Sequence, residues 1–211
     1  MATVARKKSR RTASREARRR QLIDATMKCI ARKGLGNTSI GDVASEAGLS
    51  QGIVNLHFES KDNLLTETLR TLANEYREQF DRTLAKAGPH PADALRALLE
   101  MDLKPKLLDR QKLAIWFAFW GEVKSRPTYR RICDEYDRYY DSVVEKLCAE
   151  IIAEGGYTNI TAAAAAEALT CMTNGLWLSC LISPKDFDRD IGWNAIMSYL
   201  ANVFPKHYET A

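Results

Sequence analysis

A chain of 211 residues with 45% hydrophobic and 27% charged residues has room for two packed cores, and its composition is neither fibrous nor disordered. The formal net charge of +4 is unevenly placed: residues 1–61 hold 13 Lys/Arg against 5 Asp/Glu, a balance of +8, while residues 62–211 hold 18 against 22, a balance of −4. A polyanion therefore docks at the first third, although the basic run Arg6 to Arg20 taken alone reads equally well as a solvated tail.

Cys29, Cys133, Cys148, Cys171 and Cys180 are odd in number and form no CxxC pair, which argues against a disulfide framework and a thiolate zinc site. His57, His90 and His207 lie far apart, with no metal-binding spacing. No nucleophile-base pair or Gly-rich phosphate loop is present either, so the chain is not read as an enzyme, and no catalytic residue, metal or cofactor is expected. The longest apolar run, Leu113 to Trp120, is too short to span a bilayer, and no apolar segment follows the basic N-terminus; a cytoplasmic location is expected.

Helical periodicity dominates, so the expected fold is all-α. Residues 1–14 read as a basic disordered arm. The first helix is expected from Arg15 to Lys33, with Ile23, Met27 and Ile30 on one face and Gly34 as its C-terminal stop.

Residues 39–58 read SIGDVASEAGLSQGIVNLHF. Ser39 is placed to cap a short helix whose third residue, Asp42, completes a capping box, while Ile40, Val43 and Ala44 face inward. Ala47-Gly48-Leu49 turns the chain, and Ser50 is expected to cap the next helix, anchored by Val54 and Phe58. That leaves Gln51, Gly52, Ile53, Asn55 and Leu56 facing outward near the helix N-terminus, where a recognition helix meets base edges. The amides of Gln51 and Asn55 suit adenine, Ile53 and Leu56 suit a thymine methyl, and Gly52 permits close approach to the DNA backbone. Ser39, Ser50, His57 and Lys61 lie at helix starts or flanks suited to phosphate oxygens. For the two serines capping is the first role, and for His57 plain solvation competes evenly with phosphate contact.

With Ser60-Lys61-Asp62-Asn63-Leu64 following, residues 16–65 resemble the N-terminal domain of the tetracycline-repressor (TetR) family: helix, Ser/Thr-capped helix, Ala-Gly-Leu-Ser turn, recognition helix ending in Phe, then Ser-Lys-Asp-x-Leu. Many members carry Tyr where this chain has Asn55. The resemblance implies a helix-turn-helix DNA-binding domain over residues 15–62 and a helical effector-binding and dimerisation domain over residues 63–211.

In that second part a helix is expected from Ser60 to about Ala85, carrying Leu65, Leu69, Leu72, Tyr76, Phe80 and Leu84 at helical spacing, until Ala87-Gly88-Pro89-His90-Pro91 breaks it. Further helices are expected near Ala92–Leu108, Gln111–Lys124, Thr128–Glu154, Thr161–Ile182 and Asp188–Phe204. Ala162 to Ala166 is both a strong helix former and a small-residue surface that another helix can approach. The family resemblance makes helices 161–182 and 188–204 the homodimer interface, and a dimer implies a palindromic double-stranded operator.

The segments LAIWFAFW, residues 113–120, and GLWL, residues 175–178, resemble those of choline-responsive repressors within the family. Two readings of these aromatics stand. A helix apolar all round packs in a core, and packing accounts for most buried aromatics. Alternatively Trp116, Phe119, Trp120, Tyr136, Tyr140 and Trp177 wall a pocket for a quaternary ammonium, with Glu122 or Asp137 balancing its charge and Asn174 binding a hydroxyl. The expected function is a ligand-released transcriptional repressor; a family member with a different apolar effector and a constitutive DNA-binding protein are the alternatives.

Overall fold

The computed structural model describes the backbone of residues 2–209 and the side chains of residues 15–209. The expected arm, residues 1–14, lies outside the described side chains. Among the described residues nine helices follow in order: α1 (Ala2–Lys33), α2 (Ile40–Glu46), α3 (Gln51–Phe58), α4 (Lys61–Lys86), α5 (Pro91–Asp102), α6 (Arg110–Glu122), α7 (Pro127–Gly155), α8 (Ala162–Ile182) and α9 (Arg189–Val203). No strand occurs among the described residues, so the chain is all-α, as its periodicity predicts.

Most helix ends follow from local chemistry. Gly34, at φ 81°, closes α1 with its N–H on the Ile30 carbonyl at 2.8 Å, and Gly48, at φ 64°, turns α2 into α3. The Thr161 hydroxyl accepts the Ala164 N–H at 3.2 Å at the start of α8. At the start of α9, the Asp188 carboxylate accepts the N–H groups of Asp190 and Ile191 at 2.8 and 3.2 Å.

Two expected boundaries are corrected: the first helix, expected from Arg15 after a disordered arm, begins at Ala2, and one later helix ends early. The helix predicted to run from Ala92 to Leu108 ends at Asp102, and the chain beyond it turns, with the Leu107 N–H on the Lys104 carbonyl at 2.8 Å. Pro105 explains the early end, because its ring disfavours the helical conformation at Lys104 and it has no N–H to continue the ladder.

The packing divides the chain into two units: residues up to Leu72 with Ala114–Arg130, and Ala73–Leu113 with the residues from Arg131 onward. The core of the first gathers Leu22, Cys29, Val43, Val54, Phe58 and Leu64, among others, from α1 to α4. The core of the second is larger and draws on α4, α5, α7, α8 and α9, including Phe80, Leu95, Leu98, Val144, Leu169 and Phe204. Within it α8 and α9 approach closely: a Cβ on Gly192 would lie 2.8 Å from Leu176 Cδ2.

Candidate DNA-reading and effector sites

In the first unit, α2 starts as its sequence predicts. The Ser39 hydroxyl accepts the Asp42 N–H at 3.1 Å, and the Asp42 carboxylate accepts the Ser39 N–H at 3.0 Å and the Ser39 hydroxyl at 2.7 Å. The Lys33 ammonium, first, and then these Ser39 donors hold the Asp42 carboxyl well below the usual carboxylate range. Ser50 differs from the expectation. It stands at the N-cap position of α3 in extended backbone, but its hydroxyl makes no capping hydrogen bond, so that hydroxyl is free of the competing role assigned to it.

Val54 and Phe58 are buried on the inner side of α3. A residue that the sequence reading passed over fixes this helix. One Arg19 amino group donates to the His57 carbonyl at 2.7 Å and the other to Glu67 Oε2 at 3.2 Å, while the guanidinium stands 4.6 Å from the centre of the Phe58 ring. A single side chain of α1 thereby ties the end of α3 to α4. Its signal was hidden in the run Arg18-Arg19-Arg20, where all three look like one basic face.

Gln51, Gly52, Asn55 and Leu56 are exposed, Leu56 at 70%. Ile53, expected to face outward with them, is half-buried against the core of the first unit. Gln51 rests against α2, for a Cβ on Gly41 would lie 3.1 Å from Gln51 Nε2. Ser39 is exposed, and the half-buried Lys61 ammonium lies 3.4 Å from the Gly36 carbonyl. His57 is half-buried, with Nδ1 covered and unpartnered; burial first, then the charges of Arg15, Arg19 and Arg18, push its pKa down. The ring is therefore neutral at neutral pH and offers an anion an N–H rather than a charge.

The nine candidate ligand residues divide between the two units. Trp116, Phe119, Trp120 and Glu122 belong to the first, where the Trp116 and Trp120 rings stand 6.0 Å apart and the buried Phe119 meets Tyr129 edge-on at 5.1 Å. The Glu122 carboxylate accepts the Ser125 hydroxyl at 2.9 Å. Tyr136, Asp137, Tyr140, Asn174 and Trp177 belong to the second. There the Tyr136 hydroxyl donates to Asn74 Oδ1, and Asn174 lies half-buried one turn before Trp177 on α8.

Tyr140 and Trp177 meet around a residue the sequence reading did not single out. Asp102, at the end of α5, is fully buried; its Oδ1 accepts the Tyr76 hydroxyl at 2.8 Å, its Oδ2 the Tyr140 hydroxyl at 3.1 Å, and its backbone carbonyl the Trp177 Nε1–H at 2.9 Å. The Tyr76 ring stands 5.8 Å from Trp177, edge-on, and 6.3 Å from Tyr140, and Phe80 lies 5.2 Å from Tyr140. Burial pushes the Asp102 carboxyl up to about 7 against the lowering effect of both hydroxyl donors. The signal for Asp102 was its register: it falls four residues after Leu98 and seven after Leu95, on the apolar face of its own helix.

Tyr76 and Tyr140 keep part of their surface accessible, and Asp137 more of it. Yet burial is the first cause raising the pKa of each, to about 6 for Asp137, with Asp141 and Asp134 adding to it there. Among the described residues no group of His, Cys, Asp and Glu is disposed to hold a metal ion, and no helix is long and apolar enough to cross a membrane.

Residues 22–68 match the bacterial regulatory proteins of the tetR family, and residues 91–205 match the C-terminal domain of BetI-type transcriptional repressors. The HTH-type transcriptional regulator BetI of Paraburkholderia phymatum is 34% identical over 186 residues, 88% of this chain and 92% of that protein. Its counterpart in Paraburkholderia xenovorans is 31% identical over 88% of this chain and 93% of that protein. Among solved structures, a transcriptional regulator of Pseudomonas aeruginosa PAO1 superposes with a TM-score of 0.81 at 28% identity, covering 91% of this chain and 93% of that one. A regulator of Saccharomonospora viridis in complex with choline superposes with a TM-score of 0.75 at 25% identity, covering 86% of this chain and 94% of that one.

Proposed function

Because the chain belongs to the TetR family of transcriptional regulators and carries a BetI-type C-terminal domain, we propose that it is a cytoplasmic repressor, dimeric on a palindromic operator and released by a choline-type quaternary ammonium. The reading of DNA falls to Gln51, Gly52, Asn55 and Leu56, whose exposure at the start of α3 supports base contact, with Ile53 at the margin of that surface. Ser39, the uncapping hydroxyl of Ser50, His57 and Lys61 supply phosphate contacts that fix register without choosing sequence. Two copies joined through α8 and α9 set their recognition helices about 34–36 Å apart, one turn of DNA. Ile182 at the end of α8 and Ile191 near the start of α9, exposed at 68% and 69%, are apolar surface that such an interface would cover.

The observation that carries the effector reading is the gathering of Tyr76, Tyr140 and Trp177 around a buried carboxylate. Aromatic faces with one acid suit a cation that has no N–H to donate, and a structural relative is solved with choline. Asp137 and Asn174 complete the polar lining in this reading. Of the four candidates on α6, Trp116, Phe119 and Trp120 take instead the packing role that their ring contacts with one another, with Phe117 and with Tyr129 support, and Glu122 is engaged by the Ser125 hydroxyl.

Release follows from α4, which contributes residues to both units. A ligand lodged against Tyr76 shifts that helix and with it the spacing of the paired recognition helices, for which a coupling of about 1–3 kcal/mol suffices. A thermal-shift screen of choline, betaine aldehyde, betaine and unrelated apolar compounds tests the effector. Choline raises the melting temperature by mass action and weakens operator binding. Stabilisation by apolar compounds alone would replace the cationic effector with an apolar one, and identical recognition-helix separations with and without effector would remove the α4 route.

A further inference from the structure

Among the described residues Asp102 is the one buried Asp, Glu, Lys, Arg or His; the other buried polar residues are Thr26, Thr38, Thr68 and Thr173. Each of its carboxyl oxygens has one neutral partner, the hydroxyls of Tyr76 and Tyr140, and no Lys, Arg or His among the described residues forms an ion pair with it. A carboxylate taken out of water with two hydroxyl donors is undercompensated, so the empty site favours its neutral acid. The groups facing it carry no positive charge. Tyr76 comes from α4, Tyr140 from α7 and Trp177 from α8, and the next ionisable groups outward are Asp137, beside Tyr76, and Asp141 and Cys148, beside Tyr140.

Once ionised, Asp102 is an anion among three aromatic side chains, held through the hydroxyls of Tyr76 and Tyr140 with the Trp177 indole N–H on its backbone carbonyl, and a bulky cation lodged against these rings restores the charge balance that the site lacks. A quaternary ammonium gains from the π faces and from the carboxylate together without displacing the two tyrosine hydrogen bonds. It does so only if the carboxyl is ionised. The acid and the bound cation are therefore alternatives at one place.

Resting on the cationic-effector reading above, we propose that Asp102 is the counter-charge of the effector site, neutral when the site is empty, and that binding of a quaternary ammonium expels its proton to solvent. The exchange is balanced: the carboxylic acid and the cation become an ion pair and one released proton. Effector sensing is thereby coupled to pH. Affinity rises as the pH climbs through the Asp102 titration, because less work is then needed to ionise the acid.

Isothermal titration calorimetry of the full chain with choline, repeated in two buffers of different ionisation enthalpy, counts the protons released. The expected result is net release near neutral pH, with choline bound roughly tenfold tighter near pH 8 than near pH 6. In Asp102→Asn, which keeps the size of the side chain, choline binding weakens and this pH dependence disappears. Tight choline binding by the natural chain without proton release would overturn the role of Asp102 and leave the cationic effector standing. Unchanged pH dependence in Asp102→Asn would likewise overturn it and pass the role to another carboxylate, Asp137 first. If the natural chain does not bind choline in either buffer, the cationic-effector reading fails, and this proposal with it.

Discussion

The cores of the two units share one way of handling polar groups and differ in another: both bury threonines bonded to their own helix, as Thr173 is to the Leu169 carbonyl at 3.0 Å in the second, but the second alone also buries a carboxyl group. In the first, the buried polar side chains are threonines that satisfy themselves on their own chain: Thr26 on the Leu22 carbonyl at 2.7 Å, Thr38 on Gly34 at 2.8 Å and Thr68 on Leu64 at 2.8 Å. Charged residues such as Asp42 and Arg19 stay at or near the surface, where Lys33, Glu67 and water share their charge. The second unit carries Asp102 in its interior, held by hydroxyls from two other helices. A DNA-reading head has to hold one geometry, and an apolar core closed by short-range hydrogen bonds does that. On the proposed reading the second unit has to respond to an effector, and an unbalanced ionisable group is a place where a small molecule can add stability that the fold withholds.

That contrast can be broken first at its anchors. Phe58→Ala empties a tightly filled place under the Arg19 guanidinium and should destabilise the head by about 3–5 kcal/mol, abolishing operator binding; thermal unfolding followed by circular dichroism measures the loss. A variant that melts like the natural chain would show that the head core is not closed in the way described.

The pH dependence should then run in opposite directions in the two units. The Asp102 carboxyl titrates higher in the folded body than in the unfolded chain, so the folded state holds the proton more tightly. Its effect is to lower body stability as the pH climbs from about 4 to about 7, by a few kcal/mol at most, with no further loss above that. Asp42 is depressed by Lys33 and Ser39, so its stabilising effect is complete at neutral pH and fades only as the pH falls below the carboxylate range. Melting temperatures across this range, with Asp102→Asn alongside, separate the two, since the substitution should flatten the neutral-pH slope alone.

A smaller test concerns the response itself. Trp177→Phe leaves the Asp102 carbonyl without the indole donor, at a cost of about 1–3 kcal/mol, and should reduce the ratio of operator affinities measured without and with choline. An unaltered ratio would take Trp177 out of the sensing site. The smallest effects divide the head's two serines. Ser39→Ala removes a capping bond and should cost about 1 kcal/mol, whereas Ser50→Ala removes none and should leave stability unchanged while weakening operator binding. Equal melting losses in the two variants would mean that Ser50 caps its helix in solution.

All-α architecture, the helix-turn-helix and most helix ends were legible in the sequence because they depend on neighbours three or four residues away: Ser39 with Asp42, Gly34 after Lys33, Val54 with Phe58. The end of α5 at Asp102 rather than Leu108 has an equally local reason, since Pro105 disfavours helical backbone at Lys104. The motif also exposed the surface of α3, though not the inward lean of Ile53 or the clamp by Arg19, which depends on Phe58 and Glu67 far along the chain. The aromatic residues of the body could be enumerated but not sorted.

What the sequence by itself determined is which residues belong to helices and which stretch resembles a DNA-reading head, because hydrogen bonding and capping along a helix are matters of short spacing. Only the tertiary structure decided that Tyr76, Asp102, Tyr140 and Trp177, separated by 26 to 75 residues in their contacts, share one place. It also assigned Trp116 and Trp120 to the other unit. An aspartate reads as a surface residue until the helices that bury it are known, and the energy of that burial arises entirely from groups distant in the chain.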